Sequence, residues 1–244
     1  MSARHLLIDA GNTRLKWVVV VDGLWQSHGS SEYGDLSALS RALSAGITCT
    51  IASVASTEHE DQIKTLLDTQ GIDPCWLTAE TQFLDIQNTY ANPKQLGVDR
   101  WMGLIAARQR TRAATLVVSM GTAMTVDALS ANGVFLGGLI VPGRAMMQQS
   151  LQLGTAHVAA IEGAWQAFPQ TTADAVHSGI VAAMCGAIQM QHARLAKRSG
   201  TMPQCLVAGG DAATLLPHLD LPVEHVPFLV LEGIDRVVKE DLEA

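Results

Sequence analysis

The chain has 244 residues and a formal net charge of −7 at pH 7, with 48% hydrophobic and 16% charged residues. This composition predicts a folded protein with a substantial core, built as one large domain or as two of ordinary size. No cluster of Lys and Arg alternates with aromatic residues, which disfavours nucleic acid as the main partner. No uninterrupted apolar segment approaches about 20 residues, so we expect no membrane span.

The four cysteines, at positions 49, 75, 185 and 205, lie far apart and form no CxxC pair. This spacing disfavours a zinc site and a disulfide framework, and it favours reduced thiols in a cytoplasmic protein. The short apolar run after Arg4 is interrupted by Asp9, so we predict no signal peptide.

Two apolar stretches near the start of the chain flank the polar turn Gly11-Asn12-Thr13 and predict a β-hairpin over residues 6–21. Gly and Asn tolerate a positive φ, which would allow a tight turn here. Backbone N–H groups at such a tip can bind anions. Asp9 could hold a hydrated Mg²⁺, and Lys16 could reach a phosphate. An ordinary hairpin with an incidental Asp and Lys explains these residues equally well.

The next segments alternate in type, with predicted helices at 36–45 and 58–69 and predicted strands at 47–54 and 75–77, which indicates an α/β domain. A polar loop containing Tyr90 then leads into a helix predicted over residues 98–112. Asp99 suits the first turn of a helix for electrostatic reasons alone. Arg100 is less favourable at that end, and its guanidinium could serve as a receptor for a carboxylate.

The strand–turn–strand pattern around Gly121-Thr122-Ala123 repeats the opening hairpin, which indicates an internal duplication with a boundary near residue 113. Predicted elements after it are a strand at 135–143, helices at 144–153 and 173–199, a strand at 205–208 before Gly209-Gly210, a strand at 228–233 and a helix at 234–242. Thr171 and Asp174 resemble a capping box at the start of the longest helix.

The order of these motifs resembles the type III pantothenate kinases of the actin-like ATPase and sugar-kinase superfamily. The resemblance rests on Asp9-x-Gly11-Asn12-Thr13-x-x-Lys16, Gly97-x-Asp99-Arg100, Gly121-Thr122-Ala123-x-Thr125-x-Asp127, Gly137-Gly138-x-Ile140-x-Pro142-Gly143, Thr172-x-x-Ala175-x-x-x-Gly179 and Leu229-Val230-Leu231-Glu232-Gly233. It implies an α/β fold with two related ribonuclease H-like, actin-like ATPase domains, 1–113 and 114–244, and an ATP cleft between them.

The family implies ATP-dependent phosphorylation of pantothenate to 4′-phosphopantothenate, the first step of coenzyme A synthesis, by a cytoplasmic homodimer. By this resemblance the ATP-binding residues are Asp9, Ala10, Gly11, Asn12, Thr13, Arg14, Leu15, Lys16 and Thr122. Asp9 would also hold Mg²⁺ through water. The implied pantothenate-binding residues are Tyr90, Gly97, Val98, Asp99, Arg100 and Thr172. Within that set Asp99 matches the family's proton acceptor, Arg100 would contact the substrate carboxylate, and Thr172 would reach the substrate from the partner subunit.

One position departs from the family pattern, because Ser119 stands where the family carries an Asp that helps to bind K⁺ or NH₄⁺. A neutral Ser would weaken such a cation site, so we expect either that cation dependence is altered or that the protein supplies the cation site differently. Two other functions stay open at this point: a non-catalytic accessory or regulatory protein on the same ATPase fold, and a kinase for another small hydroxyl substrate.

Overall fold

A computed structural model of the chain describes residues 3–155 and 162–243. The chain forms two compact units, of which unit 1 combines the residues up to Arg110 with those from Phe228 onward, and unit 2 is Thr111–Pro227. The first change of unit lies close to the predicted boundary at residue 113. The predicted second domain also included residues 228–244, whereas this last segment packs within unit 1.

The elements of unit 1 before the boundary are, in chain order, β1 (Arg4–Ala10), β2 (Arg14–Val21), β3 (Leu24–Glu32), α1 (Ser37–Ala42), β4 (Thr48–Ser53), α2 (Thr57–Asp68), β5 (Cys75–Trp76), β6 (Gln82–Phe83), β7 (Ile86–Gln87), a 3₁₀ turn (Pro93–Gln95) and α3 (Val98–Arg110). The predicted helices and strands of this half are confirmed, with ends shifted by a few residues.

Unit 2 contains β8 (Thr115–Met120), β9 (Ala123–Leu129), β10 (Phe135–Pro142), α4 (Arg144–Gly154), α5 (Thr172–Ser199), β11 (Gln204–Ala208), α6 (Ala212–Leu215), a 3₁₀ turn (Leu216–His218) and β12 (Glu224–His225). The chain then returns to unit 1 with α7 (Leu229–Glu243). Among the described residues, no helix is both long enough and apolar enough to cross a bilayer.

Each unit contains a five-stranded sheet, and the strand order is the same in both. The orders are β3-β2-β1-β4-β5 and β10-β9-β8-β11-β12. In each sheet three antiparallel strands connected by hairpins are followed by two parallel ones. The chain is therefore a mixed α/β protein with a repeated sheet, as expected for the predicted fold class.

Continuous apolar runs explain why the central strands lie inside each unit. Leu6, Leu7 and Ile8 are all fully buried, as are Leu116 and Val118 of β8. A strand that is buried on both faces requires helices on both sides of its sheet, which is why neighbouring residues as well as alternate ones are apolar. The hairpin between β1 and β2 is thus anchored in the core of unit 1.

The predicted strand at 228–233 is wrong, because Phe228 lies in a turn and residues 229–233 form the start of α7. Leu229, Leu231 and Ile234 are buried within unit 1, and α7 packs against α3. Gly233 lies at this crossing, where an added Cβ would overlap the carbonyl oxygen of Met102. A short apolar run does not distinguish a strand from a buried helix, and here packing on α3 decides the conformation.

Candidate active site

The tip of the first hairpin is closed by a hydrogen bond from the Gly11 backbone N–H to the Arg14 carbonyl oxygen (3.2 Å). Contrary to the prediction, neither Gly11 nor Asn12 has a positive φ. A Cβ at Gly11 would lie 3.2 Å from the Arg14 carbonyl oxygen, so a side chain here would require a small shift of the turn. The turn is therefore tight because two backbone segments approach each other closely.

Asp9 and Lys16 are directly opposed on β1 and β2, with Asp9 at the second-last residue of its strand. Burial of the Asp9 carboxyl raises its pKa to about 7; the positive charge of Lys16 opposes this shift, and the negative charge of Asp99 adds to it. The structure thus brings together three charged groups that the sequence places up to 90 residues apart.

The other predicted ATP-binding residues of the hairpin differ in which of their atoms are accessible. Ala10 and Leu15 are fully buried, so their side chains pack in the core and only their backbone can face a ligand. Asn12, Thr13 and Arg14 are exposed, and Arg14 forms a 3.7 Å surface ion pair with Glu32.

Tyr33 is a residue at this site that the sequence analysis missed. Its Oη donates a 2.6 Å hydrogen bond to the Gly11 carbonyl oxygen, and its ring stacks on His59 at 3.8 Å. Burial, with further contributions from Asp9 and Glu60, raises the pKa of Tyr33 to about 12, so the hydroxyl stays protonated as a donor. A Tyr in the turn after an edge strand carries no local sequence signal for this contact.

Asp99 occupies the first turn of α3, and its carboxylate folds back toward the residue before the helix. An added Cβ at Gly97 would lie 2.6 Å from Asp99 Oδ1, whereas the Gly97 carbonyl accepts a 3.0 Å hydrogen bond from Trp101 N–H. The Gly97 position therefore leaves space for the carboxylate. Val98 between them is buried, so its side chain belongs to the core.

Arg100 is buried, and its guanidinium lies beside Tyr90. The Arg100 Nη1 atom donates a 3.0 Å hydrogen bond to Tyr90 Oη, and the guanidinium carbon lies 5.8 Å from the centre of the Tyr90 ring. Two predicted pantothenate-binding residues thus form one structural pair. A planar donor group held in this way can bind a carboxylate with defined orientation.

In unit 2, three glycine-containing motifs converge at the end of β8. The Gly143 N–H donates a 2.9 Å hydrogen bond to the Thr122 carbonyl, and a Cβ at Gly143 would overlap the backbone of the Gly121–Thr122 turn. Gly209 has φ +105°, and its Cβ would overlap the Met120 carbonyl oxygen. Close backbone approach therefore explains Gly143 and Gly209. Thr122 is exposed at the tip of the hairpin.

Ser119 and Thr172 also lie in unit 2. Ser119 is partly buried in β8, between Thr125 on one neighbouring strand and Ala208 on the other. Thr172 is exposed as the first residue of α5, directly after the helix cap Thr171. The helix cap predicted at Thr171 is confirmed, since Thr171 Oγ1 accepts a hydrogen bond from Asp174 N–H (3.2 Å) and donates one to the Asp174 carboxylate.

Within residues 3–155 and 162–243, no group of three or more His, Cys, Asp and Glu side chains is arranged to hold a metal ion. Asp9 nevertheless fits the way in which Mg²⁺ binds at phosphoryl-transfer sites, through one or two carboxylates, several waters and substrate phosphates. Because burial disfavours the ionised Asp9 carboxylate, a nearby cation would favour it.

Two solved structures share this fold over nearly the whole chain. One, from Campylobacter jejuni, is described as a transcriptional activator of the Baf family; it is 22% identical, with a TM-score of 0.63 and coverage of 98% of this chain and 100% of the other. The second, from Sinorhizobium meliloti, is described as a 2-dehydro-3-deoxygalactonokinase; it is 14% identical, with a TM-score of 0.62 and coverage of 98% and 99%. The chain therefore belongs to the fold class that these two structures share, in which one sheet topology occurs twice.

Sequence comparison identifies the family within this class. A family model described as type III pantothenate kinase matches residues 5–194. A type III pantothenate kinase from Thiobacillus denitrificans is 61% identical over 239 residues, covering 98% of both chains. Another, from Nitrosospira multiformis, is 40% identical over 246 residues, covering 100% of this chain and 94% of the relative. The chain belongs to the type III pantothenate kinase family.

Proposed function

We infer that this chain transfers the γ-phosphoryl group of ATP to pantothenate, which gives 4′-phosphopantothenate for coenzyme A synthesis. The observation that carries this inference is the pair of neighbouring residues at the start of α3, in a chain that belongs to this kinase family. Asp99 offers a carboxylate next to the charged hairpin, and Arg100 offers a buried guanidinium held by Tyr90.

Phosphoryl transfer depends mainly on positioning the reactants and on neutralising charge around the γ-phosphate. We propose that the backbone N–H groups of residues 10–15 and the ammonium of Lys16 bind the ATP phosphates, with Thr122 as a further phosphate contact. Asp9 would hold Mg²⁺ through water, and the ion would neutralise phosphate charge when bound. Asp99 orients the pantothenate hydroxyl and accepts its proton, while Arg100 and Tyr90 bind the substrate carboxylate.

The proposed activity is tested by measuring ADP formation from ATP with pantothenate and with a panel of other small alcohols. We expect turnover with pantothenate and a large rise in its KM in Arg100→Ala, because the guanidinium contacts only the acceptor in this scheme. Turnover with a different alcohol would indicate another substrate. No turnover with any alcohol would favour the accessory-protein alternative.

Asp99→Asn is expected to lower kcat by about 100-fold or more, because an amide cannot accept the hydroxyl proton and a general base typically contributes 10²–10⁴-fold. ATP binding should persist, since the hairpin is unchanged. Steady-state kinetics and ATP titration of the purified variant measure both effects. The exposed Asp73→Asn serves as a control for the charge change. Near-normal turnover in Asp99→Asn would remove Asp99 from this role.

We propose that activation by K⁺ or NH₄⁺ is weak in this protein, because Ser119 supplies no anionic oxygen at the position of the family's cation ligand. Rates in Na⁺, K⁺ and NH₄⁺ buffers of equal ionic strength should differ by less than about twofold in the wild type. Ser119→Asp should increase the preference for K⁺. Strong K⁺ activation of the wild-type enzyme would contradict this proposal.

We further propose a homodimer that acts in the cytoplasm. The dimer is supported by an exposed small-residue face on α5, since every exposed residue of this helix from Ala175 to Ala193 is small or apolar: Ala175, Gly179, Ala182, Ala183, Gly186, Met190 and Ala193. Thr172 lies on the first turn of the same helix and would contact pantothenate in the partner subunit. The cytoplasm is supported by four free cysteines, three of them buried.

A further inference from the structure

One buried side chain connects both ends of the loop that carries Tyr90. Asn88 is only 6% exposed. Its Oδ1 atom accepts a 3.1 Å hydrogen bond from Tyr90 N–H. Its Nδ2 atom donates to the carbonyl oxygens of Glu80 (3.1 Å) and Pro93 (3.2 Å). A single amide thus bonds to the chain before the loop, within it and at its far end.

We propose that Asn88 is a positioning residue that holds Tyr90 against Arg100 and thereby sets the enzyme's preference for a carboxylate-bearing acceptor. This inference rests on the proposed function, because it concerns how the same site recognises pantothenate. Asn88 itself makes no contact with the substrate in this scheme; it acts through Tyr90.

The geometry explains why Asn88 controls the orientation of Tyr90. Arg100 belongs to a buried helix, so its end of the pair is fixed by the core. Tyr90 belongs to a loop without regular structure, and its backbone is fixed by the Asn88 carboxamide. Loss of that amide removes the hydrogen bond to Tyr90 N–H and weakens the restraint on the loop, while the Arg100 side chain stays in place.

The donor and acceptor pattern also requires an amide at position 88. One end of the side chain faces an N–H group, and the other end faces two carbonyl oxygens. Asn88→Asp keeps the size of the side chain but places a carboxylate oxygen against those two carbonyls, where it can only repel them. Asn88→Ala removes all three hydrogen bonds.

The same loop supplies a matched control. Asn92 is exposed, and its Oδ1 atom accepts a hydrogen bond from Lys94 N–H (3.2 Å), which caps the 3₁₀ turn at Pro93–Gln95. Asn92→Ala therefore removes a local cap, and no described contact links Asn92 to Tyr90. A general effect of altering this loop should appear in both asparagine variants.

The test is steady-state kinetics of the full chain with ATP and either pantothenate or pantothenol, in which a primary alcohol replaces the carboxylate. We expect Asn88→Ala and Asn88→Asp to raise the KM for pantothenate about tenfold, which corresponds to about 1.4 kcal/mol. Each of the two or three lost hydrogen bonds contributes about 1 kcal/mol, and we expect part of that loss to appear in substrate binding. The KM for ATP should change less than twofold. The preference for pantothenate over pantothenol should fall, whereas Asn92→Ala should leave it unchanged.

A double-mutant cycle separates positioning from a general structural effect. In the Tyr90→Phe background, which lacks the hydroxyl that meets Arg100, Asn88→Ala should raise the KM for pantothenate much less than in the wild type. Additive effects would overturn the proposal. So would an equal rise in KM for pantothenate and pantothenol, or loss of the folded state in both Asn88 variants, because each would assign Asn88 to folding alone.

Failure of this inference can be distinguished from failure of the proposed function. If the wild-type chain does not phosphorylate pantothenate, the proposed function is wrong, and this result is obtained without any Asn88 variant. If the wild type is active and the Asn88 variants behave like Asn92→Ala, the positioning role alone is wrong.

Discussion

At the scale of single residues, Asp9 illustrates a conflict between stability and function. Its carboxyl lies inside unit 1, where loss of hydration disfavours the charged form, and Lys16 only partly offsets this cost. The nearby Asp99 adds a second negative charge to the same region. Such clustering of like charges is typical of a site that binds a cation or polyphosphate complex, and it is unfavourable in a protein that only has to fold.

Asp9→Asn is therefore expected to stabilise the protein in the absence of metal and nucleotide. A carboxyl whose folded pKa lies near 7, above its ordinary value of 3.8, binds more protons in the folded state than in the unfolded state between these values. Stability of the wild type thus falls as pH rises through this range. The gain in the free energy of unfolding of Asp9→Asn is at most about 4 kcal/mol. The pKa rises from 3.8 to about 7 on folding, and each tenfold change in proton affinity corresponds to about 1.4 kcal/mol.

Thermal or urea unfolding in EDTA at pH 5, 6, 7 and 8 measures this difference. The stability gain of Asp9→Asn should increase with pH and level off above pH 7, while kinase activity is lost. Asp73→Asn, at an exposed position, is the control and should show no such increase. A gain that is constant across pH would contradict a raised pKa of Asp9.

At the scale of elements, the crossing of α3 and α7 joins the first and last segments of unit 1. Arg110 on α3 donates two 2.7 Å hydrogen bonds to Glu232 on α7. Gly233 on α7 has no side chain, which allows its Cα to lie against the Met102 backbone of α3. Because α3 also carries Asp99 and Arg100, the position of the candidate site depends on this crossing.

Gly233→Ala should destabilise the protein by at least about 2 kcal/mol, because the added methyl group overlaps a backbone carbonyl that cannot move without shifting the helix. For a chain of this size that corresponds to a fall in Tm of about 4–8 °C. Differential scanning calorimetry measures it. Gly34→Ala is the matched control, since its Cβ would meet nothing within 4 Å. Equal Tm values for the two variants would show that the crossing is not tightly packed.

At the scale of the whole molecule, the two units repeat one sheet topology but carry different chemistry. The hairpin of unit 1 has an acid and a lysine facing each other, Asp9 and Lys16. The hairpin of unit 2 has Ser119 and Thr125 at the corresponding strand ends. The sheet scaffold therefore occurs twice, and the charged pair of the candidate site lies in the first copy.

Ala183→Glu should disrupt the proposed homodimer, because it places a charge in the middle of the exposed small-residue face of α5. Size-exclusion chromatography with light scattering should show a mass near 26 kDa in place of twice that value. Activity should fall as well if Thr172 of the partner contacts pantothenate. Ala45→Glu, at an exposed position in unit 1, is the control. A wild-type monomer would contradict the dimer directly.

Short-range patterns along the chain were sufficient to predict most elements, the duplicated hairpins and the capped start of α5. Strand runs, turn residues and helix caps act through neighbours within a few positions, so they are visible without a structure. The motifs around Asp9, Asp99 and Thr122 identified the family for the same reason, since each is a compact run of residues.

The remaining features of the fold and of the candidate site were decided by contacts that form only in the folded chain. Residues 229–233 became helical because they pack on α3, although their apolar run is equally typical of a strand. Asn88 and Tyr33 have no sequence signal because their partners, the Pro93 and Gly11 carbonyls, are backbone atoms that come near only after folding. The pKa of Asp9 likewise depends on burial and on Asp99 from another element. Hydration and charge are set by all surrounding atoms, and only the folded chain specifies which atoms these are.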